Sequence, residues 1–233
     1  VMARHSMPEW IVALLEERLG PEQLEEAAAG LQSVAPLTVR ANRLRTTRAE
    51  LMTRLSESEG AEVRSSEQYP WAVEVSSLGS PEHSQSFAEG LWTVQDLAAQ
   101  LVGAMADIEG KPRVLDACAG VGGKTTHFAE CAPDAHIDAL DLSPKKIELL
   151  KASIDRLGLR SVHPLLLDAT RKDKRIAGDY DLVVLDAPCS GLGVLRRHPE
   201  QKWASGRQDT QKLVDLQKQL LEALSERVKV GGQ

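Results

Sequence analysis

Three strand-end carboxylates, a glycine-rich turn and a cysteine after a proline carry the chemistry legible in this chain. The turn lies in Val114-Leu115-Asp116-Ala117-Cys118-Ala119-Gly120-Val121-Gly122-Gly123-Lys124-Thr125. Downstream, apolar runs end on Ala139-Leu140-Asp141, on Leu166-Leu167-Asp168 and on Val184-Leu185-Asp186-Ala187-Pro188-Cys189. In an open parallel sheet the carboxyl ends of the strands line the ligand crevice, so Asp141, Asp168 and Asp186 are expected to converge there. One acid after one strand is commonly just a helix N-cap. Three in register behind a glycine-rich turn point to a bound ligand.

The residue types choose among ligands. A phosphate loop needs Gly, four residues, then Gly-Lys-Ser/Thr. Gly123-Lys124-Thr125 matches its end, but Cys118 stands at the first glycine. The dinucleotide pattern would need a glycine where Thr125 stands. A pyrophosphate would also face several carboxylates. S-adenosylmethionine suits the lining better: it has no phosphate and carries a sulfonium and an ammonium. Its ribose diol suits an acid about 20 residues past the turn, and Asp141 follows Gly122 by 19 positions. Its adenine amine suits a carboxylate at the third strand end, Asp168. Gly120, Gly122 and Gly123 would let the backbone approach the methionine moiety closely.

The elements that must position these groups follow from periodicity. Residues 8–31 read as two acidic amphipathic helices with Pro8 in a first turn, broken at Gly20-Pro21. A strand at 37–41, a helix opened by the capping-box spacing of Thr47 and Glu50, and strands at 62–65 and 71–75 predict a small α+β domain. Its Arg40, Arg43, Arg45, Arg48 and Arg54 stand against Glu50; they read either as a solvated face or as a phosphate-tracking surface. Residues 79–90 read as a loop. A helix over 95–108 follows. Apolar runs at 113–117, 137–140, 162–167 and 180–185 then alternate with helical patterns. Ser143-Pro144 marks the start of one helix and Gly158 its stop. Leu213, Leu216, Leu220, Leu224 and Val228 form a helical stripe. Strand–helix alternation means a parallel sheet covered on both faces.

Composition excludes several classes. Lys+Arg 28 against Asp+Glu 34 gives a net charge of -6, so no global basic field draws the chain to nucleic acid. No apolar run approaches the ~18 residues of a membrane helix, and no leader peptide is legible. Three cysteines fit a reduced, cytoplasmic protein better than a disulfide scaffold. Cys118 reads as a loop filler and Cys131 as a small core residue. His127 and His198 lack metal-ligand spacing, so no metal is expected. Two further basic clusters, Arg171, Lys172, Lys174 and Arg175 against Asp173, and Arg196, Arg197, Lys202 and Arg207 against Glu200, flank the strand ends. Each alone reads as a solvated loop; together they favour phosphate positioning. Trp203 reads as stacking on RNA or as packing under the loop. The chain opens on Val1 and stops at Val230-Gly231-Gly232-Gln233, where a further strand would follow; a longer parent protein is expected.

Residues 116–127 and 186–203 resemble the RsmB-like (Sun/Fmu) branch of the RNA cytosine-5 methyltransferases. Arg196-Arg197-His198-Pro199 with Lys202-Trp203 points to its ribosomal-RNA branch. The resemblance implies a Rossmann-like doubly wound methyltransferase sheet over 91–233, incomplete at its C-terminus. A small RRM-like α+β RNA-contact domain over 36–90 and a helical lead-in over 1–35 would precede it, and a NusB-like domain would lie before Val1. Cys118, Ala119, Gly120, Val121, Gly122, Gly123 and Lys124 would form the cofactor loop. Asp141 would hold the ribose, Asp168 the adenine, and Asp186 the methionine end and the target cytosine. Cys189 would help release product, with the main nucleophile in a Thr-Cys-Ser motif beyond Gln233. The chain departs from the family at Gly120-Val121, where Ala-Pro is usual. The implied activity is methyl transfer to cytosine C5 of small-subunit ribosomal RNA, with this chain binding cofactor without turnover. Three alternatives stay open: Cys189 as the nucleophile, an inert RNA-binding or ribosome-assembly module, and a phosphate-loop NTPase.

Overall fold

The computed structural model describes residues 1–106, 110–176, 178–204 and 207–233. The chain forms two compact units, Val1–Ala35 with Pro188–Lys218, and Pro36–Ala187 with Gln219–Gln233. In the first, α1 (Met2–His5), α2 (Glu9–Leu19) and α3 (Pro21–Gly30) form the lead-in. Pro8 is the N-cap of α2 and Pro21 the first residue of α3, where a missing N–H costs nothing. Met7, Ile11 and Ala28 enclose Leu195 from the long segment after Cys189. Arg196 beside it donates to the carbonyls of Ser33 and Val34.

The second unit contains both sheets. The small one is antiparallel, with strands β1 (Leu37–Ala41), β2 (Glu62–Ser65), β3 (Ala72–Ser76) and β4 (Trp92–Val94) in the order β2-β3-β1-β4. Helix α4 (Arg48–Thr53) starts on the capping box that the Thr47 and Glu50 spacing predicts. The stretch 79–90, expected as a loop, holds a turn of 3-10 helix and a short helix, α5 (Gln85–Ala88). β4 lies just past it. Trp92 is fully buried among Leu51, Leu55 and Val73, and its indole N–H donates to Ser86 Oγ at 2.7 Å. Three residues are too few to show strand alternation in sequence.

After α6 (Leu97–Met105) comes the parallel sheet: β5 (Arg113–Asp116), β6 (His136–Asp141), β7 (Val162–Leu166) and β8 (Leu182–Val184), ordered β7-β6-β5-β8. The part of the expected helix around Ile108 falls outside the described residues. Helices α7 (Gly123–Cys131) and α8 (Pro144–Leu157) carry the crossovers; α8 is capped by Ser143 and stopped by left-handed Gly158. Val114, Phe128, Ile137, Leu150 and Val162 centre the core. Cys131, expected in that core, is half-buried and accepts a hydrogen bond from Arg43. After α9 (Gln201–Ala204), α10 (Arg207–Ser225) buries Leu220 and Leu224 of its stripe. The main chain of Gln233 pairs with Asp181 and Val183 along β8.

The arginines of the small domain are mostly spent on structure. Arg40 is buried against Glu130 of α7, Arg45 donates to the Glu89 carbonyl and Arg48 to that of Ser66. Arg43 lies over the Trp71 ring at 5.0 Å. From the other side, Arg156 of α8 donates to the carbonyls of Phe87 and Trp92. Gly90 permits this approach: its φ is +73°, and a Cβ there would come within 2.0 Å of the Arg156 carbonyl.

His127 lies in the same interface, fully buried. Its Nε2 pairs with the Tyr69 hydroxyl at 2.8 Å, and a Cβ on Gly103 would come within 2.0 Å of its Nδ1. Burial, reinforced by Arg40 and Arg43, pushes its pKa down from 6.5 to about 3. Between those values the unfolded chain binds a proton that the folded chain refuses, so stability falls as pH falls. His127→Gln keeps a polar partner for Tyr69 and does not titrate. Denaturant unfolding at about pH 7 and about pH 5 should show the variant losing about 2 kcal/mol less than the parent chain. Equal losses would refute the assignment.

Candidate functional site

The glycine-rich turn joins the end of β5 to the start of α7. Gly120 takes φ +59° and Gly122 φ +94°, both left-handed. The two glycines differ in purpose. A Cβ on Gly122 would lie 2.4 Å from Leu150 Cδ1, so this glycine seats α7 against α8. A Cβ on Gly120 or Gly123 would meet nothing within 4 Å, so those two keep a cradle open. That cradle belongs to a cavity of about 310 Å³ lined by Asp116, Cys118, Ala119, Gly120, Val121, Gly123, Lys124 and Asp186. Gln95, Ala99 and Lys146 complete it.

Carboxylates meet the amines at this cavity. Lys124 Nζ lies 2.5 Å from Asp186 Oδ2, and Lys146 Nζ 3.5 Å from Asp141 Oδ2. The lysine of the partial phosphate-loop match is therefore committed to an acid. Asp116 is buried: Thr125 Oγ1 donates to its Oδ2 at 2.6 Å, while Oδ1 has no hydrogen-bond partner. Burial, and after it Asp186, raises this carboxyl to about 6 against the pull of Thr125 and Lys124. An orphaned, electron-rich oxygen beside an open glycine cradle suits a cationic or hydrogen-bond-donating group and opposes a phosphate. The Cys118 thiol is pushed to about 11, first by burial and then by Asp116, Asp141 and Asp186, so it stays protonated.

The strand-end acids do not share one chamber. Asp141 accepts from the Gly120 amide at 3.0 Å and the Ser143 amide at 2.8 Å, bracing the turn against the start of α8. Asp168 lines a second cavity, about 280 Å³, with Leu142, Leu166, Leu167 and Arg171. The Thr170 hydroxyl, at 2.6 Å, holds its carboxyl below the usual range, with help from Arg171. Leu142 and Leu166 present apolar surface there, being 67% and 50% exposed. Cys189 is exposed and belongs to the other compact unit.

Much of the basic clusters is neutralised locally. Arg171 pairs with Asp168, Lys172 with Glu226 and Arg175 with Asp173. A larger cavity, about 830 Å³, is bounded by Arg171, Lys172 and Arg227 and shares no lining residue with the glycine-turn cavity. Trp203 is 66% exposed, against the reading that packs it under the loop. The side chain of Arg207 lies outside the described residues. Among the described residues no group of three or more His, Cys, Asp or Glu is poised for a metal, and no helix is long and apolar enough to cross a membrane. Sequence reasoning passed over Asp116, Gln95 and Lys146. Asp116 stood inside the quoted motif as a strand-end acid; nothing local marks Gln95.

Comparison with known proteins bears on this geometry. Residues 104–233 match the family model for 16S rRNA methyltransferase RsmB/F, and residues 7–80 match its RsmF/B-like ferredoxin-like domain. A ribosomal RNA small subunit methyltransferase B from Serratia proteamaculans is 33% identical over 99% of this chain and 53% of its own length. The chain thus spans about half the length of the curated relatives it matches. The crystal structure of PH0851 superposes with a TM-score of 0.93 at 29% identity, over 99% of this chain and 52% of that one. NSun6 from Pyrococcus horikoshii, solved with SFG, shares the fold with a TM-score of 0.85 at 17% identity, over 97% of this chain and 81% of its own.

The Asp116 carboxyl should titrate near pH 6 when followed by carbon NMR. Thr125→Val removes the hydrogen bond that favours the charged form, so the midpoint should move upward. A midpoint that stays put, or moves down, would contradict the stated balance of forces.

Proposed function

The chain belongs to the 16S rRNA methyltransferase RsmB/F family, and from that premise we propose that it carries the cofactor site of an S-adenosylmethionine-dependent RNA (cytosine-5) methyltransferase acting on small-subunit ribosomal RNA. One observation carries the reading: the cavity at the glycine turn pairs an orphaned Asp116 oxygen with the Asp186 carboxylate, beside a cradle that two bare glycines keep open. That lining suits a sulfonium and an ammonium rather than a polyphosphate.

S-adenosylmethionine, when bound, supplies an electrophilic methyl group. In this reading the backbone of residues 118–124 takes the methionine moiety. Asp141, already oriented by two amides, accepts from the ribose hydroxyls. Asp168 accepts from the adenine amine, and Leu142 and Leu166 cover the ring. Asp186 meets the methionine ammonium or the target base, sharing its charge with Lys124.

Cytosine C5 is a weak nucleophile until a thiolate adds to C6 and its electron pair is pushed toward C5. C5 would then take the methyl carbon as the carbon–sulfonium bond breaks, leaving S-adenosylhomocysteine as the thioether; a base would remove the C5 proton, and the thiolate would leave C6 to restore the ring. The base must first be unstacked. Cys189 is assigned to product release. None of the chain's three cysteines stands in a Thr-Cys-Ser sequence, so the chain is expected to bind cofactor without turnover. The small sheet would contact RNA.

Titration calorimetry tests the cofactor. The chain should bind S-adenosylmethionine and not ATP, and Asp186→Asn should weaken binding about tenfold, the worth of one charged hydrogen bond. ATP binding without S-adenosylmethionine binding would reject the reading. Methyl transfer to ribosomal RNA by this chain, abolished in Cys189→Ala, would overturn the role given to that cysteine.

A further inference from the structure

We propose that Arg40, on β1 of the small sheet, is a positioning residue for the cofactor turn, so that affinity for the methyl donor is set partly from outside the methyltransferase sheet. The inference rests on the cofactor reading above. Arg40 is 1% exposed. Its Nε and Nη2 grip Glu130 at 3.1 and 2.7 Å, and Nη2 also reaches Thr126 Oγ1 at 3.0 Å. Its Nη1 donates to the Gly123 carbonyl at 3.1 Å and to Gln95 Oε1. Gln95 Nε2 donates to the same Gly123 carbonyl at 3.0 Å.

A buried ion pair explains the contacts with Glu130. It does not explain two side-chain donors on the carbonyl of the first residue of α7. That carbonyl belongs to the same planar group as the Lys124 N–H, so holding the oxygen fixes the direction of the N–H. Gly123 and Lys124 both line the cavity. The N-cap, Gly122, has no side chain to brace the turn, so first-turn N–H groups lack the usual capping partner. Arg40 and Gln95 supply the bracing from the carbonyl side. Gln95 follows β4 directly, and its amide donates to the Thr38 carbonyl of β1, so both braces depend on the small sheet.

A purely structural role and a positioning role separate in a double variant of the full chain. Arg40→Met with Glu130→Met removes both buried charges together, and such replacements are commonly neutral or stabilising. Its thermal midpoint should match the parent chain, while the dissociation constant for S-adenosylmethionine rises about tenfold. Arg40→Met alone should lose both stability and affinity. Arg64→Gln, an exposed site on β2, should change neither. A double variant that regains parental affinity along with stability overturns the proposal, since the pair would then be only structural. Failure of the parent chain to bind S-adenosylmethionine would instead reject the cofactor reading, and this inference with it.

Discussion

A guanidinium almost sealed from water lies where the small sheet meets helix α7. Removing an arginine from water costs several kcal/mol, and the cost is met only where its donors find well-placed partners. Here Glu130, Gln95, Thr126 and the Gly123 carbonyl surround Arg40. A lysine could not replace it, because one ammonium cannot present a planar fork to a carboxylate while reaching a carbonyl beside it. The contact sets how β1 sits against α7, and α7 begins at the turn that lines the cavity. Asn42, reaching the carbonyls of Gly90 and Leu157, and Arg156, reaching back to Phe87 and Trp92, tie down the same interface.

The acids at the strand ends show how environment divides one residue type into several roles. Asp116 is buried and raised toward neutrality. Asp168 is held low by a hydroxyl and a guanidinium. Asp141 is committed to two backbone amides, which makes it a brace as well as a candidate ligand. Asp186 faces a lysine that a phosphate-loop protein would aim at its nucleotide. The electrostatic character of the cavity therefore comes from the pairing of its charges, more than from their number.

The segment after Cys189 behaves differently from the strand that precedes it. Leu195 is enclosed by the lead-in helices, and Arg196 closes on the carbonyls that follow α3. A stretch adjacent in sequence to the cofactor-side strand thus folds with residues near the start of the chain. Arg196, counted among the basic residues that could meet phosphate, already has backbone partners.

Local signals carried much of the architecture. Caps at Thr47 and Ser143, the stop at Gly158, the alternation of strands with helices and the acids behind each strand all depend on residues a few positions apart, so they are readable without a fold. Family resemblance rested on two motifs of the same local kind. What the sequence left undecided depends on distant partners. Arg40 read as part of a solvated face or of a phosphate-tracking surface, and Glu130, which resolves it, stands 90 residues away. The role of Gly122 waited on Leu150, the fourth small strand on the pocket that receives Trp92, and the separate chamber of Asp168 on the placement of β7. Spacing along a chain fixes periodicity and capping; burial and the pairing of charges exist only once remote segments are brought together.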